Sequence, residues 1–164
     1  METSARRLAS RRLSASLAAV ILAEKQAQLV ADYAIIDDDH ERLAAVVDRA
    51  RRLPPLPDAA RSEANRVKAC VSQAWIVGET RDGRCHFHSD ADSPLVRGLL
   101  ALLCDFYSDA PPAEIAATEP VLFEEMGLAR NLSPTRLNGL KAAAMAMQAF
   151  ARSVALASRS ACPL

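Results

Sequence analysis

Residues 72–90, SQAWIVGETRDGRCHFHSD, place an Asp-Gly pair between two runs rich in β-branched and aromatic residues. That pattern closes a hairpin, because Asp-Gly accepts the positive φ angles of a tight primed turn. With Asp82 and Gly83 as the loop, Thr80 faces Cys85, Gly78 faces Phe87 and Ile76 faces Ser89. Strand period two then sets Cys85 and Phe87 on an apolar face, and Val77, Glu79, His86 and His88 on the other. A bare two-stranded hairpin is seldom stable alone. Residues 66–68 are therefore expected as a short third strand, and the rest of the chain must supply the cover. It is suited to do so with helices: 51% of residues are hydrophobic but only 4% are aromatic, and many are Ala and Leu. The expectation is an α+β fold, a small antiparallel sheet (hairpin plus a short third strand) packed with several helices. At 164 residues the chain has room for one domain with a core of its own.

The helices are read from their punctuation. Asp37, Asp38 and Asp39 offer N-caps and first-turn negative charge for a helix with Leu43, Val46, Val47, Ala50 and Leu53 on one stripe. LPPLP at 53–57 stops it, and DAARSEAN makes a short helical turn. Ser93 and Pro94 open a helix that buries Leu95, Leu99, Leu102, Leu103 and Phe106. PPAEIAAT and PVLFEEMG are short helices, the second ended by Gly127, and Ser133-Pro134 starts a long Ala-rich helix. The resulting division is a basic extension and helix at 1–36, a main domain at 37–158 and a loose tail at 159–164.

Residues 1–14 carry Arg6, Arg7, Arg11 and Arg12 and precede the apolar run LSASLAAVILA, an imitation of an export or transit signal. Ile21 and Ala23 make a poor cleavage site and the apolar periodicity runs on, so the segment reads as the frayed start of a first helix. A cytoplasmic protein is expected, the alternative being an organellar one if residues 1–23 act as a transit peptide. Lys plus Arg and Asp plus Glu number 20 each, so charge offers no general reason to bind nucleic acid or an anionic membrane. No apolar run reaches membrane-spanning length.

Four cysteines, Cys70, Cys85, Cys104 and Cys162, read as thiols, because a chain with an ample apolar core needs no disulfide staples. Cys70 differs from the others. It lies in RVKACVSQAW, with Arg66 and Lys68 before it and Ser72 and Gln73 after it, where a packing cysteine would have apolar neighbours. The reading is a reactive loop thiol whose acidity Arg66, Lys68 and Arg136 can increase; the plainer one is a buried thiol at a strand end. Cys85 and Cys104 fall on apolar faces and Cys162 in the tail.

The run CHFH invites a metal site, but Cys85 points away from His86 and His88 in a strand, and two histidines are too few ligands. No metal or other cofactor is expected on this chain. Arg136, in the first turn of a helix, opposes the helix dipole. It calls for a partner, Asp90 or Asp92, or else serves beside Cys70. Asn138 is a helix-surface residue or part of a partner-binding patch. Trp75 is expected in the core.

LPPLPDAARSEANRVKACVSQAWI, SDADSPLVRGLLALL and LSPTRLNGL, in that order and spacing, resemble the SufE family, including its CsdE-type members, over about residues 41–152. The resemblance implies a compact α+β fold and a sulfur acceptor for iron–sulfur cluster assembly, with Cys70 accepting the sulfur. It implies a cysteine desulfurase of SufS or CsdA type as partner, carrying its own pyridoxal phosphate, and an iron–sulfur scaffold complex as a further one. Gln73 and Asp92 join Arg66, Lys68, Arg136 and Asn138 as supporting or partner-binding residues. Where the family commonly has glycine before the cysteine, this chain has Ala69, which takes positive φ less readily. Two functions stay open: a persulfide carrier that stimulates a desulfurase without being an enzyme itself, and an adaptor that keeps the fold without carrying sulfur.

Overall fold

The computed structural model describes residues 21–160. The basic segment 1–20 and Cys162 therefore lie outside the described residues. A helix over 21–34 (α1) is followed by α2 (Asp39–Arg51), two 3-10 turns (Asp58–Ala60 and Glu63–Asn65), β1 (Ala74–Arg81), β2 (Arg84–Ala91), α3 (Pro94–Tyr107), α4 (Pro112–Ala117), α5 (Leu122–Glu125), a 3-10 turn (Ala129–Asn131) and α6 (Pro134–Ser160).

The hairpin has the register that Asp82-Gly83 demands: Thr80 pairs with Cys85, Gly78 with Phe87 and Ile76 with Ser89. Both loop residues have positive φ, +52° at Asp82 and +74° at Gly83. The third strand contracts to one bridge between Arg66 and Trp75, because the chain turns away directly after Val67 donates to the Ala74 carbonyl at 2.8 Å. Ala110 extends the other edge through its bridge to Cys85.

α3 is the central element. Ser93 caps it by accepting from the Val96 N–H, and Leu99, Leu100, Leu102, Leu103, Phe106 and Tyr107 are all buried. It packs against α2, β2 and α6. At Gly98 the backbones of α2 and α3 come so close that a Cβ would lie 2.7 Å from the Val46 carbonyl oxygen. α6 crosses the sheet, with Phe150 edge-on to Phe87 at 5.7 Å between ring centres and seated over Gly78. α1 is docked by buried Leu22 and Tyr33, and the Arg42 guanidinium binds the Tyr33, Ile36 and Met126 carbonyls. Among the described residues no helix is long and apolar enough to cross a membrane.

Candidate functional site

Between the Arg66–Trp75 bridge and β1 the chain makes a loop, 68–73, whose ends are tied. Val67 N–H donates to Ala74 O, and Asp92 N–H donates to Gln73 O at 3.1 Å, anchoring the second end to the start of α3. Within it Cys70 N–H donates to Val67 O at 3.2 Å, a tight turn that aims the side chain back at the protein. Ala69 takes this turn without positive φ; among the described residues the non-glycine ones of that kind are Asp82 and Asp109.

Cys70 is half-buried, and its Sγ lies against α6 at Gly139. Beside it is a cleft of about 310 Å³ lined by Cys70, Val71, Ser72, Val96, Ser133, Thr135 and Arg136. Three segments converge here: the loop, the start of α3 and the start of α6. α6 begins where it does because Ser133 accepts from the Arg136 N–H and Pro134 presets the first turn. Val71 is 85% exposed, an apolar side chain held in solvent next to the thiol.

The electrostatics differ from those expected of the basic flanks. Burial, and then the negative charge of Asp92, push the Cys70 thiol above its ordinary value, while the Ser72 N–H pulls it more weakly the other way. Arg66 is drawn instead to Glu63 at 3.4 Å, and Lys68 stands exposed. Both causes favour the protonated thiol over the thiolate, the form that reacts.

The carboxylates sort by burial. Asp90 is buried and binds Arg61 at 2.5 Å, Arg97 at 3.2 Å and the Leu56 N–H at 3.0 Å, clamping the proline segment to β2. Burial alone would raise the Asp90 carboxyl, but these partners together outweigh it and hold it below the ordinary carboxylate range. Asp92 is exposed and acts on Cys70. Since Asp90 is committed to Arg61 and Arg97, it is not the partner sought for Arg136, and among the described residues no ion pair includes Arg136 or Asp92. Arg136 lies exposed at the cleft instead.

Gln73 contributes its carbonyl, its side chain being exposed, and Asn138 is exposed on α6 without lining the cleft. Trp75 is half-buried rather than core, with the Arg61 guanidinium 5.7 Å from its ring centre. Cys85 and Cys104 are buried, and burial pushes the Cys104 thiol up to about 12. His88 pairs with Glu79 at 3.4 Å on the outer face, and among the described residues no group of three or more His, Cys, Asp or Glu is placed to hold a metal ion. Sequence reasoning missed Gly139 and Arg61. A glycine inside a long helix, disfavoured by about 1 kcal/mol against alanine, was a signal for the first; nothing local marks Arg61.

Comparison with known proteins agrees with this architecture. Residues 27–151 match the family model for SufE, an Fe-S metabolism associated domain. An uncharacterized SufE-like protein from Rhizobium etli is 36% identical over 119 residues, spanning 70% of this chain and 80% of its own. The sulfur acceptor protein CsdE of Escherichia coli is 36% identical over 107 residues, 63% of this chain and 72% of its own. A solution structure of a hypothetical protein from Thermus thermophilus shares the fold with a TM-score of 0.67 at 22% identity, over 80% of this chain and 96% of that one. By its family match and by its relatives, the chain belongs to the SufE family.

Proposed function

We propose that this protein is a sulfur acceptor that takes persulfide sulfur from a cysteine desulfurase onto Cys70 and in doing so stimulates the desulfurase. The observation that carries the reading is the position of Cys70. Of the three described cysteines it alone is partly exposed, on a loop tied at both ends and beside a cleft that a partner can enter. The Cys70 thiolate attacks the terminal sulfur of the partner's persulfide. A bond forms between Cys70 Sγ and that sulfur, the partner's S–S bond breaks, and the partner's cysteine leaves as a thiolate. No external oxidant or reductant is consumed. The terminal sulfur then lies toward Ser133, Thr135 and Arg136, where a cation offsets the persulfide's charge. The desulfurase, of SufS or CsdA type, brings its own pyridoxal phosphate, and the sulfur goes on to iron–sulfur cluster assembly.

The test is peptide mass spectrometry after incubation with a cysteine desulfurase, pyridoxal phosphate and L-cysteine. One extra sulfur is expected on the Cys70 peptide, none in Cys70→Ser, and loss of desulfurase stimulation in that variant without a change in melting. Cys85→Ser is expected chiefly to lower stability, since it sets a hydroxyl in an apolar site. An unmodified Cys70 peptide beside a persulfidated desulfurase would replace this reading with the adaptor.

A further inference from the structure

Gly139 sits in the second turn of α6, where its helix alone would prefer alanine. It is buried, and the space a Cβ would occupy is taken by Cys70: the Cβ would lie 2.9 Å from Sγ, 3.6 Å from the Cys70 Cα and 3.7 Å from its Cβ. Of these three contacts only that to Sγ is closer than van der Waals packing allows. The space is thus shaped by one atom, the sulfur. The other buried helix-contact glycine, Gly98, behaves differently, since its neighbour is the backbone of α2, which cannot rotate away.

We infer that Gly139 is a positioning residue for Cys70: the missing side chain is the seat that holds the thiol withdrawn between transfers, so the identity of residue 139 sets how much of the time the sulfur is presented. The inference rests on Cys70 being the reactive residue but not on what it reacts with. A methyl group at 139 meets Sγ, and a cysteine side chain has a single rotor with which to yield. The sulfur moves away from α6 and out toward the cleft, which is open to solvent. Burial is the main cause of the thiol's weak acidity, so the displaced thiol ionises more readily as well.

The test compares the full chain with Gly139→Ala, and with Gly98→Ala as a packing control. The readout is the rate of Cys70 alkylation by iodoacetamide across pH, followed on the Cys70 peptide so that Cys85 and Cys104 do not contribute. The expected result is a rate at pH 7 at least fivefold above wild type in Gly139→Ala, with the pH profile displaced to lower pH. Gly98→Ala should lower the melting temperature and leave the Cys70 profile in place. A Gly139→Ala rate within twofold of wild type and an unmoved profile would overturn the inference and leave Gly139 a packing residue. Melting gives a second, independent arm. In a Cys70→Ala background the clashing atom is gone, so adding Gly139→Ala should raise the melting temperature. A double variant that melts below Cys70→Ala would also overturn the inference, even if the single variant did not fold. Alkylation uses no desulfurase, so a Cys70 that gains reactivity yet never accepts sulfur would remove the sulfur-acceptor reading and keep the seat.

Discussion

At Cys70 two effects act in the same direction, withdrawal from water and the charge of Asp92, and both keep the proton on the sulfur. The thiolate is the nucleophile, so relieving either makes the residue faster at neutral pH. Asp92→Asn is expected to raise the rate of Cys70 alkylation at pH 7 about twofold or more and to move the pH profile down, because a negative neighbour that favoured the protonated form is gone. An unchanged profile would show that solvent screens Asp92 from the thiol. Cys70 itself is legible from its polar flanks, but its acidity is not. The flanking cations are close in sequence and turned elsewhere, to Glu63 or to solvent, whereas the charge that acts on the sulfur comes from Asp92, just past the end of β2. The surroundings of Arg136 escape a sequence reading for the same reason: two nearby carboxylates look equally able to pair with it, and only burial assigns Asp90 to Arg61 and Arg97.

The elements are the most readable level, since each is announced by local chemistry: Asp38 and Ser93 as caps, prolines at the starts of α3 and α6, Asp82-Gly83 in the turn. The exception is the third strand, which depends on where a connection goes next and shrinks to a bridge. Two elements carry predictions. The start of α6 brings Arg136 to the cleft, and Arg136→Ala is expected to raise the protein concentration needed for half-maximal desulfurase activation about tenfold, while chemical persulfidation of Cys70 persists. Activation at wild-type concentrations would reduce Arg136 to a bystander. The proline segment is held by Asp90, and Asp90→Asn is expected to cost about 2–3 kcal/mol in urea unfolding. Since the folded carboxyl is held below the ordinary value of 3.8, its contribution is complete above that pH and is lost as pH falls through the folded value. The acid limb of the stability profile should accordingly flatten in the variant.

Over the whole molecule, equal numbers of positive and negative side chains leave partner docking to a local patch rather than to broad steering. The exposed Val71, the cleft and Arg136 lie together on one side of the Cys70 loop and are the candidate for such a patch. The core behind it includes α1, so Leu22→Ala is expected to destabilise by about 2–4 kcal/mol and to leave Cys70 alkylation unaltered. A loss below about 0.5 kcal/mol would mean that α1 does not share the core's cooperativity. Charge balance and helix content are legible from composition, but how α1 docks is not, since the carbonyls that hold Arg42 come from two separate places, the end of α1 with the turn after it, and Met126. The tied ends of the Cys70 loop have a further consequence, one of timescale. The bond from Val67 to Ala74 belongs to a single bridge at the edge of β1 between two buried residues, and its amide should exchange with solvent hydrogen more slowly than one inside the loop. The Cys70 amide, bonded to Val67 inside the loop, needs only the nanosecond-to-microsecond motion of a short segment. On the proposed reading, a visiting protein would meet the sulfur through openings of the loop alone, with its two ends still held.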